Sequence, residues 1–135
     1  MARRAKSEGR TCVGLLGTKW TMTGPVYPAA FERAGVAMRV PSVADQRLVD
    51  DVIFGELCQG ILRDESRAAY VRIIEDLKRA GCDAVALSCT EIPLLVTPDV
   101  SPLPTLDSTR LLAHAAVEVA LGLAPVPAWR GGPFC

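Results

Sequence analysis

Short apolar runs alternate along this chain with longer stretches whose apolar residues recur every three or four positions. Cys12 to Leu16 is such a run, closed by Gly17 and Thr18, and it reads as a buried parallel strand. Val36 to Val40, Asp83 to Ser88 and Leu103 to Leu106 read as three more. Between them the period changes. A helix is predicted from the Pro25–Pro28 region, carrying Val26, Ala30 and Phe31 inward and stopping at Gly35. Asp45 is a predicted N-cap for a helix with Leu48, Val49, Val52, Ile53 and Leu57 on one face, stopped by Gly60. Asp64 is expected to cap the next, which buries Tyr70, Ile73, Ile74 and Leu77 and ends before Gly81. Asp107 opens a last helix whose wide apolar face holds Leu111, Leu112, Ala115, Ala116, Val119 and Ala120, with Gly122 past its end.

Strands alternating with helices define an α/β class: a parallel sheet of about four strands flanked by helices. Sheets of this kind carry their chemistry in loops beyond the carboxyl ends of the strands. Two loops qualify, Gly17-Thr18-Lys19-Trp20-Thr21 after the first strand and Ser88-Cys89-Thr90-Glu91 after the third. A short helical turn over Glu91 to Leu95 is expected to follow the second.

The chain has 135 residues, enough for one domain, and half of them are hydrophobic. Lys and Arg together number 15, as do Asp and Glu, so no net field draws the chain to nucleic acid or to a membrane. The one basic run, Arg3, Arg4, Lys6 and Arg10, reads as a solvated terminus. The five cysteines (12, 58, 82, 89 and 135) form no C-x-x-C pair, which argues against a disulfide framework or a structural zinc. No secretory signal or membrane span is read, and free thiols suit a reducing cytoplasm.

Cys89 stands out by position. Free N–H groups at a helix start stabilise a thiolate, although a single cysteine is more often a small core hydrophobe. Thr90 adds a hydroxyl able to donate to a carboxylate. Thr18 and Thr21, with Lys19, offer the first loop the same ability, although threonines in loops are commonly turn formers. No G-x-G-x-x-G or P-loop spacing is present. His114 falls a turn or two into the last helix, where packing or surface exposure is the plainer reading.

Three blocks carry a resemblance. VGLLGTKWTM is similar to the start of the second domain in the aspartate/glutamate racemase family, with its L-L-G-T-x-x-T-M pattern. ELCQGILRDESRAAYVRIIEDLKRAGCDAVALSCTEIPLLV resembles the family's central block, with its E-L-C-x-G turn and C-T-E loop. PTLDSTRLLAHAAVEVAL looks like the closing segment. The resemblance implies two similar α/β domains, each giving one cysteine to a cleft, and proton transfer at an α-carbon with no cofactor and no metal. Cys89 carries over as the catalytic thiol of the second domain. Thr18, Thr21 and Thr90 carry over as carboxylate binders, and Arg63 as a partner for the side-chain carboxylate of the substrate.

The resemblance also implies an organisation: residues 1–11 as the end of an interdomain helix with Gly9 as its C-cap, 12–106 as the racemase-like domain, 107–122 as a helix packing on a partner or first domain, and 123–135 as a tail. Nothing matches the first domain's C-N-T-x-H type loop, and Cys12, Cys58, Cys82 and Cys135 are expected in core or incidental roles. Ser88 stands where the family usually has glycine. The chain thus reads as half of a two-domain enzyme. Three readings stay open: a racemase of aspartate or glutamate completed by a second copy or a separate first half, a non-catalytic binding module, or an isomerase of another small carboxylate or a hydantoin.

Overall fold

The computed structural model describes residues 1–127; the rest of the predicted tail, Cys135 included, lies outside the described residues. The elements run α1 (Ala2–Ser7), β1 (Cys12–Leu16), α2 (Lys19–Thr23), α3 (Val26–Ala34), β2 (Ala37–Arg39), α4 (Val43–Gly55), a 3-10 turn (Leu57–Gln59), α5 (Asp64–Arg79), β3 (Ala84–Leu87), α6 (Ile92–Leu95), β4 (Thr105–Asp107) and α7 (Ser108–Ala120). The four strands pair in the order β2-β1-β3-β4, all parallel.

The strand sequences explain this layering. β1 and β3 are buried along their whole lengths because helices cover both faces. Successive side chains point to opposite faces, so the two strands feed two cores. Cys12, Leu16, Val85 and Leu87 join Val49, Ile53, Tyr70, Ile73, Ile74 and Leu77 under α4 and α5. Val13, Leu15, Ala84 and Ala86 meet Ala5 of α1 and Phe31 of α3 on the other side. Gly14 permits the first contact: a Cβ there would lie 2.8 Å from Leu77 Cδ1.

Several boundaries differ from the sequence-based expectation. Ser42, extended after Pro41, is the N-cap of α4, and its Oγ accepts the Asp45 N–H at 3.2 Å. Asp45 is therefore the third helical residue, its carboxylate accepting from the Ser42 hydroxyl at 2.8 Å. Leu57 falls in the 3-10 turn, which Gly60 ends with φ 73°. Asp64 is the first residue of α5 rather than its cap; Arg63 holds the flanking position with no side-chain capping bond. β2 and β4 are shorter than or offset from the predicted runs. Asp107 does cap α7, accepting from the N–H groups of Thr109 and Arg110 at 2.8 and 3.1 Å.

α7 has the predicted apolar face, yet none of its residues is buried. Leu111 packs partly on the second core, while Leu112 and Val117 are 73% and 56% exposed. Among the described residues, no helix is long and apolar enough to cross a membrane.

Asp83 fastens the amino edge of the sheet. Its carboxylate accepts from Thr11 N–H and Oγ1, both at 2.7 Å, and from Cys12 N–H at 3.4 Å. Burial works to raise its pKa, but these donors outweigh burial and hold it below the usual carboxylate value. Stability from this group is therefore fully present above the unfolded value of about 4 and is lost as pH falls through the lower folded value. Asp83→Ala is expected to cost about 1–2 kcal/mol at neutral pH and to flatten the acid limb of stability, measured by urea unfolding at pH 7 and pH 3. Beside it, the buried thiols of Cys12 and Cys82 lie 3.6 Å apart, and burial together with Cys12 pushes Cys82 up to about 12.

Candidate active site

The carboxyl edge of the sheet is built from the ends of β1 and β3. β3 delivers Ser88-Cys89-Thr90-Glu91, a turn that precedes the four-residue α6. After β1 the chain does not run as an open loop. Thr18 caps α2, its Oγ1 accepting from Thr21 N–H at 3.3 Å and lying 3.1 Å from Thr21 Oγ1. The two segments meet at Gly17, where an added Cβ would lie 2.8 Å from Thr21 Cγ2 and 3.1 Å from the Ser88 carbonyl oxygen. A side chain at position 17 would push the segments apart, so glycine is required for the close approach. The Thr18 and Thr21 hydroxyls thus sit on the same edge as Cys89, with the Thr18 oxygen already engaged in capping.

Cys89 is half-buried and packs against the core beneath α4 and α5. Its Sγ donates to Glu91 Oε2 at 2.9 Å. Burial, then this bond, then the negative charge of Glu91 push the thiol up to about 11, with the Glu91 N–H acting in the opposite sense. The sequence favoured a thiolate at a helix start. The structure differs because α6 begins three residues beyond Cys89, so the nearest strong partner is a carboxylate and not a ring of free N–H groups. Glu91 itself is held ionised, its pKa lowered by hydrogen bonds from Cys89 and Thr90. Thr90 is exposed on the turn.

Arg63 also lies on this edge. The start of α5 is tied to the segment past Cys89 by Arg67, whose Nε donates to the Leu95 carbonyl at 3.1 Å. The Arg63 guanidinium is exposed and paired with Glu56 at 3.7 Å. Glu56 in turn accepts from Ser66 Oγ at 2.6 Å, so a substrate carboxylate would have to compete with an existing partner. Cys58, expected on a helix, is exposed on the 3-10 turn. His114 is exposed on α7 and lines a cavity of about 300 Å3 with Leu87, Pro93, Asp107 and Arg110; Cys89 is not among its lining residues. Ser88 Oγ is buried with no hydrogen-bond partner, a cost that a glycine at this position would not incur.

Glu91 is the residue that sequence reasoning passes over. Its signal was available, two positions after the thiol in the C-T-E stretch, but nothing in the spacing indicates that its carboxylate turns back on Sγ.

A free thiol thus lies beyond a central strand of a parallel α/β sheet, beside a hydroxyl-bearing turn. Comparison with known proteins makes the assignment specific. The Asp/Glu/hydantoin racemase family model matches residues 1–116, and the chain belongs to that family. The uncharacterised protein of the pnlA 3′ region of Pectobacterium carotovorum subsp. carotovorum is 30% identical over 115 residues, covering 84% of this chain and 75% of that protein.

Among solved structures, a Yersinia pestis protein taken to be an Asp/Glu racemase superposes with a TM-score of 0.84 at 37% identity, covering 89% of this chain and 53% of its own. PH1733, an aspartate racemase homologue from Pyrococcus horikoshii OT3, gives 0.81 at 30% identity, covering 89% of this chain and 53% of its own. The Picrophilus torridus aspartate racemase gives 0.73 at 26% identity, covering 90% of this chain and 49% of its own. The chain thus spans about half the length of these solved relatives.

Proposed function

We propose that this chain supplies one cysteine-bearing half of a cofactor-independent racemase acting at the α-carbon of a small amino acid, aspartate first and glutamate second. The observation that carries the reading is the half-buried Cys89 thiol on the carboxyl edge of the sheet, next to the Thr18–Thr21 turn. Inverting a stereocentre through a planar carbanion takes an acid and a base on opposite faces. Cys89 serves one face. Hydroxyls of Thr18, Thr21 and Thr90 hold the α-carboxylate and the charge that develops on it, and Arg63 leaves Glu56 to meet the side-chain carboxylate. The aspartate racemase descriptions of two solved relatives favour aspartate over hydantoins. A reducing cytoplasm suits the free thiols.

The second face needs a second acid or base. A second copy of the chain, or a separately encoded first half, supplies it by covering the carboxyl edge and the apolar face of α7. Sedimentation of the wild-type chain is expected to show more than one protomer, or a complex once the other half is added. Leu112→Glu with Ala116→Lys is expected to abolish that assembly while changing unfolding stability by less than about 0.5 kcal/mol, since both side chains are exposed. A wild-type monomer with full activity by itself would rule the arrangement out.

One observation favours a second reading, a non-catalytic binding half: the thiol donates to Glu91 and is pushed up to about 11, so it is not poised as a thiolate. Deuterium exchange separates the two. D- and L-aspartate and glutamate are incubated with the assembled protein in D2O, and deuterium at Cα is read by NMR. Exchange that depends on Cys89 supports the racemase; no exchange with any of the four, or exchange that survives intact without Cys89, rejects it.

A further inference from the structure

We infer that Glu91 is a positioning residue that holds Cys89 as a thiol in the resting protein, so that, opposite the base of a distinct first half, Cys89 delivers the proton to one enantiomer and the same two groups exchange roles in the reverse direction. The inference rests on the racemase reading and deepens it. Its basis is geometric. Cys89 Sγ and Glu91 Oε2 are 2.9 Å apart, two residues apart on one turn, and a carboxylate at that distance can only accept. The thiol is the sole donor in the pair, so the contact exists only while Sγ carries its proton.

The Glu91 N–H acts in the opposite sense, and the other side chains near Sγ act in the same sense as the carboxylate. Cys58 from the 3-10 turn adds negative charge when ionised, and Tyr70 beneath it from α5 is a buried neutral phenol whose ionisation burial, and then Cys89, oppose. Among the described residues, no cation pairs with Glu91 to offset its charge. The turnover that follows is balanced. The Cα–H bond breaks toward the base on the opposite face, and a new Cα–H bond forms with the proton from Sγ. Cys89 is left as a thiolate and the base holds one proton more. The thiolate then lies against the Glu91 carboxylate, a like-charge pair that favours rapid recapture of a proton from water as the base releases its own.

Thiol reactivity tests this without reference to racemisation. The native chain is treated with iodoacetamide between pH 7 and 10, and alkylation of the Cys89 peptide is followed by mass spectrometry. Glu91→Gln removes the charge and keeps the size, and is expected to speed Cys89 alkylation roughly three- to tenfold, with its pH profile displaced toward acid by about one unit. Glu91→Asp, which keeps the charge on a shorter arm, is expected to fall between the two and serves as a second variant should the amide disturb the turn. A Cys89 profile unchanged in either folded variant overturns the assignment. A flat result here leaves the racemase reading to the deuterium experiment, and a failure of exchange leaves the titration result standing.

Discussion

Replacing Cys89 with alanine is expected to lower racemisation by the assembled enzyme at least about 10³-fold, the order of what a positioned acid–base group contributes. Alanine keeps the backbone of the turn and removes the thiol that the racemase reading assigns to proton transfer at Cα. The pattern of the remaining exchange is as informative as the loss. If a second copy covers the edge, both faces of the substrate meet Cys89, and the substitution removes exchange from both enantiomers together. If a distinct first half supplies the opposite group, that group still abstracts the α-proton of one enantiomer, and deuterium enters that enantiomer with retention while inversion is lost. NMR of the Cα position combined with chiral chromatography reads both outcomes. Undiminished inversion in Cys89→Ala would remove this residue from the reaction.

The parallel sheet was legible because its strands are short apolar runs set between amphipathic helices, and burial on both faces leaves little other use for Val13-Gly14-Leu15-Leu16 or Ala84-Val85-Ala86-Leu87. The ends of elements were less so. Ser42 and Asp45 are both good cap residues, and which one caps depends on the extended backbone that Ser42 adopts after Pro41, a conformation and not a composition. α2 has five residues, too few for any period to register, so Thr18 read as a loop hydroxyl when it is a cap.

The place of Cys89 beyond β3 was legible, and its contact with Glu91 was not. A contact between residues two apart in a non-helical turn follows neither helical nor strand spacing, so the Cys89–Glu91 pair appears only in three dimensions. Arg63 shows the same limit: nothing in the spacing indicates its pairing with Glu56. The apolar stripe of α7 was readable from its period; among the described residues, Leu111 is its one member packed against a core.

The largest stability effect is expected at Tyr70. Its ring is fully buried between α4 and α5, and its hydroxyl donates to the Val49 carbonyl at 2.9 Å. Tyr70→Ala removes the ring and leaves a cavity that Ile73, Ile74 and Val49, fixed on two helices, close only in part. Aromatic-to-alanine changes in such cores cost about 3–5 kcal/mol. Against a typical domain stability of about 5–15 kcal/mol, that is a large share, and it corresponds to a fall in melting temperature on the order of 10 °C. Tyr70→Phe keeps the ring and loses one hydrogen bond, for which about 1 kcal/mol is expected, since the Val49 carbonyl lies within α4 and retains a helical partner. Urea unfolding of both variants separates packing from hydrogen bonding. The same pair bears on Cys89, which packs on this core: the cavity in Tyr70→Ala admits water beneath the thiol and weakens the burial that raises it, whereas Tyr70→Phe keeps the thiol dry. Faster Cys89 alkylation is therefore expected in Tyr70→Ala and not in Tyr70→Phe, and equal rates in the two variants would show that the buried ring does not set the protonation of Cys89.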